Sequence, residues 1–108
     1  MKLDSVVASL SALAQEHRLA AYRYLVQCGA DGAPAGAIAE SLDIPASSLS
    51  FHLAHLERSG LIIRVRKSRS LIYSADFTAM NALIGYLLEN CCGGTACDTA
   101  TDDKGRAA

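Results

Sequence analysis

Apolar positions along this chain keep helical spacing to about residue 58, turn extended from Leu61, and return to helical spacing after Asp76. Leu3, Val6, Val7, Leu10, Leu13 and Ala14 recur at helical spacing and predict a helix over 3–14. Leu19, Tyr22, Leu25 and Val26 predict a second helix over 16–27. Gly29, Gly32 and Pro34 then mark a loop. A short helix follows over 34–41 around Ile38 and Leu42, and a tight connection at Asp43-Ile44 leads to Pro45, which suits a first helical turn. The next helix is predicted over 45–58 and stops near Gly60. Leu61-Ile62-Ile63-Arg64-Val65-Arg66 and Leu71-Ile72-Tyr73-Ser74 are extended patterns either side of a polar tip, Lys67-Ser68-Arg69-Ser70, and read as a two-stranded ribbon. Asp76 is placed to cap a last helix through Asn90, with Phe77, Met80, Leu83, Ile84, Leu87 and Leu88 on one face. The fold class expected is mainly α with a small β-hairpin.

Within that order, the helices over 34–58 have the dimensions of a helix-turn-helix, and the ribbon after them those of a wing. At 100° per residue, Leu49, Leu53 and Leu56 fall together toward the core. The opposite face carries Ser47, Ser48, Phe51, Ala54, His55 and Arg58, with Ser50 and His52 on its flanks. Small and hydrogen-bonding side chains let a helix sit deep in a major groove, and Phe51 can meet a thymine methyl. A solvated amphipathic helix is the plainer reading of the same stripe. Phe51 argues against it, because an exposed aromatic on a polar face wants a cover. Arg66, Lys67 and Arg69 at the ribbon tip suit the phosphate backbone or minor groove, or else a charge-protected edge strand.

Net charge is −1 over 108 residues, which looks wrong for a nucleic-acid binder until its distribution is considered. Between Arg58 and Tyr73 there are five cations (Arg58, Arg64, Arg66, Lys67, Arg69) and no acid. The length supports one domain. No apolar run approaches the ~18 residues of a membrane span, and the start lacks a signal-peptide pattern, so the expected location is the cytoplasm.

Cytoplasmic thiols stay reduced, which makes the cysteine placement informative. Three of the four cysteines, Cys91, Cys92 and Cys97, lie within Cys91-Cys92-Gly93-Gly94-Thr95-Ala96-Cys97. Thiolates capture soft, thiophilic ions and oxidise easily. Trivalent arsenic and antimony favour three thiolates in a pyramid. Cys91 and Cys92 diverge on a regular helix, so the helix must unwind for both to reach one atom; Gly93 and Gly94 permit that turn. Zinc would want a fourth ligand, which Asp98 or water can supply, but no histidine lies near. The spacing leaves three alternatives open: a redox pair with Cys97, incidental thiols, or another soft ion such as cadmium, lead or bismuth. Cys28, ending an apolar helix, reads as a small core residue. No catalytic constellation is visible, and the chain is not expected to be an enzyme.

Three phrases carry a resemblance. They are Ala12-Leu13-Ala14-Gln15-Glu16-His17-Arg18-Leu19, Ile38-Ala39-Glu40-Ser41-Leu42, and Leu49-Ser50-Phe51-His52-Leu53-Ala54-His55-Leu56-Glu57-Arg58-Ser59-Gly60-Leu61. With them the chain resembles the ArsR/SmtB family of winged-helix, ligand-responsive repressors from Leu10 to Cys97. The resemblance implies a homodimer, joined through the first and last helices, with two recognition helices in successive major grooves of operator DNA. The DNA-contacting residues it implies are Ser47, Ser48, Ser50, Phe51, His52, His55, Arg58, Arg66, Lys67 and Arg69. The family's cysteine site near the recognition helix is absent, as 34–58 holds no cysteine. Its Asp/His zinc site on the last helix is absent too, as 76–90 holds no histidine. What remains is similar to the arsenic-responsive branch whose cysteines sit at the end of the last helix. This implies Cys91, Cys92 and Cys97 as ligands and trivalent arsenic or antimony as inducer. The expected organisation is a DNA-binding and dimerisation domain over 1–90, a ligand site over 91–97 and a disordered tail over 98–108.

Overall fold

In a computed structural model, residues 1–94 are described. The expectations for Cys97 and for the 98–108 tail therefore lie outside the described residues. The helices are α1 (Leu3–Leu13), α2 (Glu16–Cys28), α3 (Ala35–Leu42), α4 (Ala46–Arg58) and α5 (Phe77–Leu87); the strands are β1 (Ala33–Pro34), β2 (Ile62–Lys67) and β3 (Ser70–Ala75).

The helix starts have visible causes. Gln15 precedes α2, and its side-chain oxygen accepts from the Arg18 backbone N–H at 3.0 Å. The Arg18 guanidinium in turn donates through Nε to the Ala12 carbonyl at 2.7 Å, tying the end of α1 to the start of α2. Asp76 caps α5 by accepting from the Ala79 N–H at 3.1 Å, as its position before the apolar run predicts. Asp43 ends α3 in the left-handed region with φ 55°, where Asp is tolerated better than most residues. Pro45 sits one residue before α4 rather than inside it.

Leu25, Ile38, Leu49, Leu53, Leu56, Leu61 and Ile62 are the largest apolar side chains buried completely. They join α2, α3, α4 and the base of the wing into one core, which fixes the outer face of α4 in orientation.

The structure departs from the expected two-stranded ribbon. Ala33 pairs with Tyr73 and Pro34 with Ile72, so β1 adds a third antiparallel strand in the order β1-β3-β2. Two residues with a proline carry no strand periodicity, and the pairing is legible only once the loop is seen to return to β3. The expected hairpin is present, paired from Ile62 opposite Ala75 to Lys67 opposite Ser70, so Lys67 and Ser70 belong to the strands and the tip narrows to Ser68-Arg69.

Two apolar stripes lie open. Leu3, Val7 and Leu10 on α1, and Phe77, Ile84 and Leu87 on α5 with Leu88 just after it, are all exposed, while Val6 and Leu83 are buried. The last helix also ends earlier than expected, at Leu87, and Asn90 turns left-handed with φ 57°.

Candidate nucleic-acid interface and thiol site

On α4 the leucine seam faces inward and leaves Ser47, Ser48, Ser50, Phe51 and Arg58 exposed, as the helical spacing predicts. Phe51 is 66% exposed. Its apolar ring stands on an otherwise polar ridge, met edge-on by the His52 ring at 6.2 Å. His52 is half-buried and turned sideways: its ring lies 5.5 Å from that of His17 at the start of α2, and its Nδ1 is buried without a hydrogen-bond partner. Burial, then the charges of Arg18, His17 and His55, hold its pKa below the ordinary histidine value. His55 is half-buried, and its pKa is likewise lowered, first by burial and then by Arg18 and Arg58.

The wing carries Arg66, Lys67 and Arg69 fully to the surface, around a tip where Ser68 is left-handed with φ 57°. Glu57 is the sole acid of α4, and the base of the wing meets it: Arg64 Nε lies 3.4 Å from its carboxylate. That pair neutralises Glu57, so the ridge from Ser47 to Arg58 and the wing tip present cations and hydroxyls without an opposing charge.

Three residues separate the thiol site from α5. The Leu88 carbonyl accepts from the Cys91 N–H at 2.9 Å, and the chain then coils through Cys91–Gly94 with Cys92 at φ 57° and Gly93 at φ 68°. The local unwinding expected from Gly93 and Gly94 is thus present, but it begins earlier, with left-handed steps at Asn90 and then at Cys92. As a result the Cys91 and Cys92 sulfurs point to one side and approach to 3.6 Å. With thiolate–metal distances near 2.3 Å, one ion can span sulfurs up to about 4.6 Å apart. Cys91 is half-buried and Cys92 exposed. Cys91 is a free thiol, as is Cys28, which packs against the core; Cys92 is disulfide-bonded. Among the described residues no three His, Cys, Asp or Glu side chains lie together as a metal site. The third expected ligand, Cys97, lies outside them.

The helix-turn-helix domain family matches residues 13–66. The HTH-type transcriptional regulator YgaV of Escherichia coli is 32% identical over 87 residues, which are 78% of this chain and 83% of that protein. The chain belongs to the helix-turn-helix transcriptional regulators. Its relatives control transcription through a DNA-binding helix-turn-helix, and no enzyme family is indicated. Among solved structures, HlyU from Vibrio cholerae is 29% identical with a TM-score of 0.65, covering 85% of this chain and 99% of that one; HlyU has also been solved in a reduced form. The homodimeric winged helix-turn-helix domain of Mb0332 from Mycobacterium bovis, a possible ArsR-family regulator, is 23% identical with a TM-score of 0.65, covering 88% of each chain. These place the regulator in the winged-helix fold. No described helix is long and apolar enough to cross a membrane.

Sequence reasoning missed the partners that α1 and α2 bring to α4. Neither the His17–His52 contact nor the approach of α1 to the end of α4 has a local signal, because both depend on how the helices cross.

Proposed function

We propose that this regulator is a homodimeric repressor that leaves its operator when trivalent arsenic or antimony binds Cys91, Cys92 and Cys97. The observation that carries the reading is the 3.6 Å approach of the Cys91 and Cys92 sulfurs at the unwound end of α5. Two converging sulfurs form most of a pyramidal site, and only the small residues Gly93, Gly94, Thr95 and Ala96 stand between them and a third cysteine in sequence. The exposed stripes on α1 and α5 support dimerisation through these helices, in keeping with the homodimeric Mb0332 domain. In the dimer, each α4 enters a major groove through Ser47, Ser48, Ser50, Phe51 and His55, with His52 at its flank. Arg58 and the wing cations Arg66, Lys67 and Arg69 hold phosphates. Half-sites are expected about one helical turn, ~34 Å, apart.

Leu87 and Leu88 lie a few residues before the thiol site. A ligand drawing the chain around itself at 91–97 pulls on the end of α5 and changes the angle between the two reading heads. Only one head then fits its half-site at a time, and affinity falls.

A second reading, a redox-responsive repressor using the same thiols, is favoured by the disulfide at Cys92 and by the relationship to HlyU. In that reading oxidation, not metalloid, moves the end of α5. Under the first reading the bond must be reduced before Cys92 can act as a ligand.

The test uses an operator selected by the protein from random duplexes, with release followed by fluorescence anisotropy. Arsenite added to reduced protein is expected to release DNA, and Cys91→Ser, Cys92→Ser and Cys97→Ser to blunt that release. Release by diamide with none by arsenite establishes the redox reading instead. Retention of DNA under both treatments rejects both readings.

A further inference from the structure

A cavity of about 300 Å³ opens between α1 and the end of α4, lined by Ala8, Ser11, His55, Arg58 and Ser59. Its chemistry is one-sided. Arg58 is exposed and free to aim inward, because the nearest acid, Glu57, is taken by Arg64 at 3.4 Å. Ser11 offers an exposed hydroxyl donor. Ser59 Oγ already donates to the Leu56 carbonyl at 2.8 Å, so its free lone pairs rather than its proton face outward. The α1 wall adds no charge through Ala8 and Ser11, and α2 adds only the field of Arg18, which with Arg58 already reaches the His55 ring. The titratable groups that line the cavity, His55 and Arg58, are cationic or become so on protonation; the acid of α1, Asp4, stands one turn before Ala8 and is not among the lining residues.

Position decides which anion suits it. The cavity continues the outward ridge of α4, sharing His55 and Arg58 with it. Ser11 continues the row of Leu3 and Val7 on α1, one turn past Val7, and Ala8 lies beside that row, so the cavity sits at the edge of the apolar stripe. A helix lying in a groove ~12 Å wide has the sugar-phosphate backbone along its flank. We propose that this cavity seats one backbone phosphate of duplex DNA, held by Arg58, the Ser11 hydroxyl and a His55 that gains a proton as the phosphate enters. The seat rests on the DNA-binding reading and adds to it a contact from α1 and a coupled proton.

The proton follows from charge. Burial first, and then the charges of Arg18 and Arg58, disfavour the imidazolium in the empty cavity; a phosphate seated beside the ring opposes those charges and favours it. DNA binding therefore takes up protons, and affinity rises as pH falls through the interval between the DNA-free and DNA-bound pKa values of His55.

The experiment uses the full chain with a labelled mixed-sequence duplex, anisotropy read across a KCl series, and the His55 imidazole followed by NMR with and without DNA. Arg58→Gln is expected to flatten the slope of log affinity against log salt by about 0.9 for each phosphate the protein no longer neutralises, hence about 1.8 for a dimer. Ser11→Ala is expected to weaken binding several-fold on every sequence, and the His55 pKa to move upward on adding duplex. Wild-type protein that binds with a steep salt slope which Arg58→Gln leaves unchanged, or a His55 titration identical with and without DNA, overturns the seat alone. Wild-type protein that binds no duplex at low salt overturns the DNA-binding reading, and the seat with it.

Discussion

Single residues carry both the oddest conformations and the most exposed chemistry of this chain. Cys92 adopts φ 57°, a region that costs an ordinary L-residue roughly 1–2 kcal/mol. The cysteine pair is legible in the sequence, and so is the need to unwind. What spacing does not reveal is that Asn90 takes the first left-handed step and that a cysteine, Cys92, takes the next one before Gly93. From spacing alone His52 is only a flanking residue of the recognition helix, because its neighbour His17 is distant in sequence. Its environment has a pH consequence. The native ring is held below the ordinary value of 6.5 by burial and by the charges of Arg18, His17 and His55. Its contribution to stability is therefore complete above about pH 6.5. It is lost as pH falls, since the unfolded chain takes up the proton first, and the loss ends below the native pKa. Denaturant titrations at about pH 7.5 and 5.5 should show wild type losing more stability on acidification than His52→Gln. Equal losses in the two proteins would exclude this account of His52.

At the scale of elements, strong periodicity is readable and borrowed pairing is not. The Leu49, Leu53, Leu56 seam and the β2–β3 hairpin emerge from spacing alone, and the structure places them accordingly. Strand β1 has no pattern of its own; it exists because the loop before α3 comes back against β3. Gly32 makes that return. Its φ is 64°, and a Cβ there would run into the backbone carbonyl of Tyr73. Gly32→Ala is therefore expected to destabilise the fold by about 2 kcal/mol or more, measured as a lower denaturation midpoint. An unchanged midpoint would mean that β1 is not held against β3. The apolar stripe, which Leu88 continues, extends the expected α5 three residues beyond its actual end at Leu87. Asn90, which tolerates the left-handed region, is the residue that breaks it.

The whole molecule leaves part of its apolar surface unburied. Leu3 is 62% and Leu87 56% exposed, on the two helices that open and close the described fold. A second copy of the chain is the cover we propose. Leu87→Glu should shift sedimentation from dimer to monomer, and lower operator affinity by removing the linkage between reading heads. A variant that stays dimeric would move the interface elsewhere. The proposed thiol site and the operator are coupled in the same way: both act on α5, so each must change the affinity of the other. Calorimetric titration of arsenite into reduced protein, free and operator-bound, measures that coupling directly. The account predicts metalloid affinity roughly 5- to 150-fold weaker on the operator, equivalent to about 1–3 kcal/mol. Equal affinity in the two states would contradict it.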